Sequence, residues 1–266
     1  MESNSFECEK GSLAWYKIGT GKPVLILHGW GSDSKVMMPM AKQIQNLRTS
    51  YLVDFPGFGG SPEPKLTWTV DDYADIVEEF ASKKIEEPQF DLIVHSFGAR
   101  VALKLLTRPE ISPRIDKVVF TGAAGLKPKR SASFYLKKYT AKTLKLPFYL
   151  LPQNLREKGL DKLRKTSLWK SLGSSDYQKL SGVMRQTFVA CVNEYLDHLL
   201  PNVQQEILLI WGENDTATPM DQGKRMEKLF KDSALVVING ASHYAFLDKP
   251  KQFSAILQAY LEPANN

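Results

Sequence analysis

Short, unbroken apolar runs that stop at glycine, proline or a polar residue alternate along this chain with longer stretches of helical spacing. The runs open "PVLILHGWG" (23–31) and "YLVDFPGFGGS" (51–61), and recur in "FDLIVHS" (90–96), "KVVFTGAAG" (117–125), "EILLIWGEND" (206–215) and "ALVVINGASH" (234–243). Continuous rather than alternating apolar character is the pattern of strands buried on both faces of a parallel sheet. Between them, "TVDDYADIVEEFASKK" (69–84) places Val70, Tyr73, Ile76, Val77 and Phe80 on one helical face, with Asp71 and Asp72 in the first turn where the helix dipole favours them. Further helices are predicted at about 97–107 and over 219–232. Strand alternating with helix predicts an α/β fold: a mostly parallel, doubly wound sheet with right-handed crossovers. The polar residues that end the runs then gather at the carboxyl edge of the sheet, where open α/β sheets bind ligands.

One segment breaks the pattern. From Lys127 to Arg185 there is no convincing β-run, and fifteen Lys and Arg face three Asp and Glu, a local net charge of +12. The whole chain carries +6, so everything else sums to −6. The expectation is a helical insertion between two strands, continuing to about Leu200 before Pro201. This divides the chain into a first core part (1–125), a helical cap (126–200) and a second core part (201–266).

With 266 residues and 43% hydrophobic content, the chain is long enough to bury a sizeable core. No apolar run approaches the roughly 20 residues needed to span a bilayer, and "MESNSFECEKGS" has no signal-peptide core. Cys8 and Cys191 are far apart and match no metal-ligand spacing, so they read as free thiols of a reducing compartment, and the expected location is cytoplasmic. The clustered cations form no nucleic-acid-binding motif, which leaves a solvated face or attraction to anionic groups. Neither a metal cluster nor a phosphate loop is present, and no cofactor is expected.

The candidate chemistry starts at Ser96. Acyl transfer by serine needs an exposed hydroxyl, a base to take its proton, an acid to orient the base, and N–H donors for the developing oxyanion. A sharp strand-to-helix corner exposes the hydroxyl and aims a helix N-terminus at the reacting atoms. "IVHSFGAR" is such a corner, with Gly98 and Ala99 small where helix and strand backbones converge.

Taken together, these segments resemble the α/β-hydrolase superfamily, in its serine-nucleophile branch with a helical cap. Val94-His95-Ser96-Phe97-Gly98 is similar to the nucleophile elbow G-x-S-x-G, and His28-Gly29-Trp30-Gly31 to the oxyanion loop. Asp54-Phe55-Pro56-Gly57-Phe58-Gly59-Gly60-Ser61 matches a further loop of the family. "WGENDTATP" and "GASHYAFLDKP" match its acid and histidine loops, and the order Ser96, Asp215, His243 is the family's. The resemblance implies Ser96 as nucleophile, His243 as general base and acid, and Asp215 as its orienting acid. It also implies an oxyanion hole from the backbone N–H groups of Trp30 and Phe97, whose side chains would line the substrate pocket. Glu213 is a rival for the acid, and helix capping is the plain alternative for Ser96 and Asp215. His28, His95 and Asp54 read as structural, and His198 lies with the cap.

A serine nucleophile points to hydrolysis of a small carboxylic ester through an acyl-enzyme. The alternatives are cleavage of a carbon–carbon bond in a diketone-like substrate by the same triad, or a catalytically quiet small-molecule binding protein. Some of Phe134, Tyr135, Tyr139, Phe148, Tyr149, Leu150, Leu151 and Trp169 are expected to face the substrate and the rest to form the cap's own core. Val94 is the departure from the family pattern, which places a small residue there; the expectation is that Gly98 and Ala99 absorb the crowding.

Overall fold

The computed structural model of this chain describes residues 4–129, 132–166, 180 and 182–262. Eight strands form one sheet in the order β1-β2-β4-β3-β5-β6-β7-β8. β3 (Lys22–Leu27), β4 (Arg48–Val53), β5 (Phe90–His95), β6 (Ile115–Thr121), β7 (Ile207–Gly212) and β8 (Ser233–Ile238) are mutually parallel. β1 (Asn4–Cys8) and β2 (Gly11–Ile18) add an antiparallel hairpin at one edge, with β2 antiparallel to β4. The expected strands do not include that hairpin, whose first strand offers only Phe6 and Cys8 as apolar positions and whose second holds a run of just four apolar residues, Leu13–Tyr16.

The apolar runs face two ways, as strands buried on both faces must. Leu25, Leu27, Leu92, Val94, Val118 and Phe120 point into a layer shared with α2 (Val70–Lys84) and α3 (Gly98–Leu105). Val24, Ile26, Ile93, Val119 and Ile210 point into the opposite layer, with α1 (Ser34–Gln43) and the C-terminal helix Pro250–Leu261. α2 starts where the sequence places it: the Thr69 hydroxyl accepts from the Asp72 N–H, and the Asp72 carboxylate accepts in return from the Thr69 N–H, a closed capping box.

Among the described residues, three α-helices lie between β6 and β7: α4 (Ala132–Tyr149), α5 (Gln153–Lys165) and α6 (Gly182–Asn193). α6 is bolted to the core. Its Thr187 hydroxyl accepts from the Trp68 N–H at 3.0 Å, and Met184 sits where a side chain on Gly57 would have to be. The expected continuation of helix to Leu200 does not occur. The chain leaves helical geometry after Asn193, because the Arg100 guanidinium takes the carbonyls of Val192 and Glu194 and the Leu196 N–H donates to Gly125. Those bonds lead the chain back to β6 and β7. After β7 come α7 (Met220–Leu229), α8 (Ala245–Asp248) and α9 (Pro250–Leu261).

β3 is paired to β4 on one side and β5 on the other, so successive strands leave the sheet's middle in opposite directions. The crevice at the carboxyl ends of β3 and β5 is thus a topological switch point.

Candidate active site

Ser96 follows the last residue of β5 and precedes α3. Its φ is +50°, and among the described residues it is the one non-glycine with a positive φ. Left-handed backbone costs an L-residue about 1–2 kcal/mol, so the turn persists only where its surroundings impose it. Here they do. The Ser96 N–H donates to the Thr121 carbonyl at 3.1 Å, and its own carbonyl accepts from Ala124 at 3.0 Å and Ala99 at 3.1 Å. The end of β6 therefore grips the corner.

Val94 does not disturb it. The residue is fully buried within β5, between Leu27 of β3 and Phe120 of β6, two positions before the turn. The closest approach of α3 to the sheet falls on Gly98, where a Cβ would stand 2.7 Å from the Leu27 carbonyl oxygen and 3.0 Å from that of His28. Gly29 faces the serine itself, with room for a Cβ only 3.0 Å from Ser96 Cβ. The small residues sit where the helix meets the strands, and the valine sits where a strand wants a β-branched side chain.

Asp215 and His243 come together although 28 residues separate them. His243 Nδ1 lies 2.8 Å from Asp215 Oδ2. The other carboxylate oxygen accepts from the N–H groups of Ala217 (2.9 Å) and Thr218 (2.8 Å). Burial alone would raise the Asp215 carboxyl. The hydrogen bond and charge of His243, followed by the Thr218 donors, outweigh it and hold the carboxyl below the usual aspartate range. An ionised Asp215 accepting from Nδ1–H leaves Nε2 of His243 as the free basic atom. Glu213 has a different role: its carboxylate accepts from the Gly240 N–H at 2.9 Å and fastens the loop that carries His243.

Among the described residues, the Ser96 hydroxyl makes no hydrogen bond, and neither do the backbone N–H groups of Trp30 and Phe97. Three groups suited to attack and oxyanion binding thus remain unengaged by the protein. Resting enzymes commonly show the nucleophile–base contact open, closing it around substrate.

The other histidines take structural places. His28 Nδ1 donates to the Gly29 carbonyl at 2.7 Å and its Nε2 accepts from the Phe55 N–H at 2.9 Å, a neutral ring with both nitrogens used. Asp54 ties its own loop, accepting from Ser34 at 2.6 Å and Gly60 at 2.8 Å. His95 donates from Nδ1 to the Thr121 carbonyl at 3.1 Å, and burial, with the neighbouring His243, pushes its pKa down to about 3. His198 is exposed beyond α6.

Several neighbours were not evident from sequence. Thr218 places its hydroxyl 2.8 Å from Asp215 Oδ2, 3.0 Å from the Gly122 carbonyl and 3.4 Å from His243 Nδ1. Gly122, with φ +51°, leaves the space in which His243 sits. Phe58 and Phe188 join Trp30 and Phe97 in an aromatic cluster, with ring centroids 4.9–5.2 Å from Trp30. Phe97 is only 3% exposed, closed in by Phe55 and Tyr73 as well, so Trp30 is the more open of the two expected pocket residues. Trp169 lies outside the described residues, as do the side chains of Phe134 and Tyr135.

The family model for the alpha/beta hydrolase fold matches residues 22–250. The chain belongs to the α/β-hydrolase family. As a member it is a hydrolase, and its relatives include enzymes named as esterases. This α/β-hydrolase is 25% identical to the pimeloyl-[acyl-carrier protein] methyl ester esterase of Aeromonas hydrophila, over 94% of its own length and 99% of the relative's. It is 23% identical to the AB hydrolase superfamily protein YisY of Bacillus subtilis, over 91% and 92% of the two chains. Among solved structures, an esterase from Exiguobacterium antarcticum superposes with a TM-score of 0.70 at 22% identity, covering 95% of this α/β-hydrolase and 96% of that chain. A meta-cleavage product hydrolase from Pseudomonas fluorescens gives 0.70 at 19% identity, covering 98% of each. These likenesses establish the fold. No helix among the described residues is long and apolar enough to cross a membrane.

Proposed function

We propose that this α/β-hydrolase cleaves small carboxylic esters through an acyl-enzyme formed on Ser96. The observation that carries the reading is the pairing of His243 with the buried Asp215, at 2.8 Å, together with a serine held in left-handed backbone. In the first half-reaction Ser96 Oγ attacks the ester carbonyl while His243 Nε2 takes its proton. Asp215 keeps the imidazole in the tautomer that presents Nε2 and stabilises the imidazolium that forms. The oxyanion is met by the backbone N–H groups of Trp30 and Phe97, each worth about 10²–10³ in rate. On collapse His243 returns the proton to the leaving alcohol. In the second half-reaction water gives its proton to His243, attacks the acyl carbonyl, and the proton passes to Ser96 as the acid is released. Trp30, Phe97 and their aromatic neighbours form one wall of the acyl site.

Relatives named for a pimeloyl methyl ester suggest the first substrates to try: methyl esters of short and medium acyl chains. A fluorophosphonate probe should label the wild-type protein at Ser96 and fail to label Ser96→Ala. Absence of labelling in folded wild type would overturn the reading. Turnover of a vinylogous diketone with no ester turnover would replace it by carbon–carbon bond hydrolysis.

A further inference from the structure

The α4–α5 hairpin carries an outward apolar surface that nothing in the hydrolytic chemistry uses. On α4, Leu136, Tyr139 and Leu146, with Leu150 just beyond the helix end, are all exposed. Their spacings of three, seven and four residues keep them within an arc of about 80° of the helix. The opposite side of α4 is where the hairpin packs on itself, with Phe148 filling the place a side chain on Gly159 of α5 would occupy. The outward stripe is therefore a second apolar face, not the hairpin's own core. It widens at the tip. Leu150 is 89% exposed, and Tyr149, Leu151 and Leu155 are exposed around the same turn.

Cations surround this tip. Lys142, Lys158 and Lys162 are exposed, and the Arg156 guanidinium lies over the Tyr149 ring, 6.0 Å from its centroid. The segment from Lys127 to Arg185 holds the +12 net charge while the rest of the chain sums to −6. Two-fold pairing of two copies through this surface is disfavoured, since two such segments repel. A protruding leucine at 89% exposure is also ill suited to a flat protein face, but it suits a deformable apolar phase.

We propose that the α4–α5 hairpin docks the protein on an anionic lipid surface. Leu146, Tyr149, Leu150, Leu151 and Leu155 enter the boundary between headgroups and acyl chains, while the surrounding lysines and Arg156 extend to lipid phosphates. The negative remainder of the molecule is repelled by the same surface, so the protein stands hairpin-down. Attachment is peripheral and reversible, and it does not depend on the esterase reading.

The test is flotation of the full chain with vesicles of phosphatidylcholine alone or with about 30% phosphatidylglycerol, at low and high salt. The anionic vesicles should retain the protein at least about tenfold better, with the advantage lost in high salt. Leu150→Asp with Leu151→Asp should abolish retention. Lys158→Glu with Lys162→Glu should weaken it about tenfold or more. Thermal melts of both variants should match wild type, since these residues are exposed. Equal retention by the two vesicle types, retention indifferent to the leucine pair, or no retention overturns the proposal. So does binding to soluble polyglutamate without vesicle binding, which would assign the surface to an acidic protein. Fluorophosphonate labelling of Ser96 reads the hydrolytic reaction separately, so either reading can fail while the other stands.

Discussion

Gly122 and His243 occupy space that a single methyl group would contest. A Cβ on Gly122 would stand 3.0 Å from His243 Nδ1 and 3.2 Å from Asp215 Oδ2, and the glycine's φ of +51° is itself unfavourable for alanine. Gly122→Ala should therefore displace the imidazole from its carboxylate. The expected outcome is a loss of about 10²-fold or more in kcat/KM for a p-nitrophenyl ester, within the range for a misplaced catalytic group. Wild-type activity in the alanine variant would show that His243 works from another position.

Thr218 acts on the site through Asp215. Its hydroxyl lies 2.8 Å from the carboxylate oxygen that faces His243, and its N–H holds the other oxygen. Thr218→Val keeps the shape and removes the hydroxyl donor. Hydrogen bonds to charged groups contribute about 1.5–3 kcal/mol, so kcat should fall about tenfold or more. Losing a donor to the ionised form also lets the Asp215 carboxyl rise. Thr218→Ser, which keeps the hydroxyl, should restore kcat; a purely packing role would instead spare Thr218→Val, which keeps the shape.

His95 sets a pH dependence of stability. Its pKa is about 3 in the folded protein against 6.5 for the free side chain, so below pH 6.5 the unfolded chain binds a proton the folded one refuses. Its contribution is intact above pH 6.5 and is lost progressively as pH falls toward 3, by up to about 1.4 kcal/mol per pH unit. His28, also lowered by burial, adds to the same slope. Asp215, with its carboxyl lowered, loses its contribution only as pH falls below the ordinary aspartate range. Urea melts between pH 7.5 and 5 should show falling stability, and His95→Phe should remove about one proton from the slope.

Asp91 anchors the far end of the sheet. Fully buried in β5, it accepts from Arg48 Nε at 2.7 Å and from the Lys117 N–H at 3.2 Å, and pairs with Lys22 Nζ at 2.8 Å. Asp91→Ala strands the nearly buried Arg48, and breaking such a pair typically costs about 3–5 kcal/mol. Urea denaturation should register that loss, with fluorophosphonate labelling intact in the fraction that remains folded.

The parallel strands and α2 were legible because burial on both faces writes continuous apolar runs, and because the Thr69–Asp72 cap is a local signal. Ser96, Asp215 and His243 stand in motif loops, and the approach of Asp215 to His243 agrees with their expected partnership. Thr218 and Gly122 were not legible. Each matters through the space it fills or leaves beside residues far away in sequence, and neither carries a local pattern that says so. The end of α6 is not legible for a related reason: Arg100, from another element, takes the carbonyls of Val192 and Glu194 and ends the helix at Asn193. The hairpin of β1 and β2 is hard to read because its apolar runs are short: Phe6 and Cys8 in β1, Leu13–Tyr16 in β2.

The three bonds that hold Ser96 in its unusual posture all run from main chain to main chain, through Thr121, Ala124 and Ala99. None involves the hydroxyl. The corner is thus a socket indifferent to its insert: the backbone would present an aspartate or a cysteine at the same point, at the same angle, without rebuilding. Under the proposed reading, a change of nucleophile in this scaffold is a single-codon event, whereas a change in the backbone that grips Ser96 would take the chemistry away whatever residue stood there.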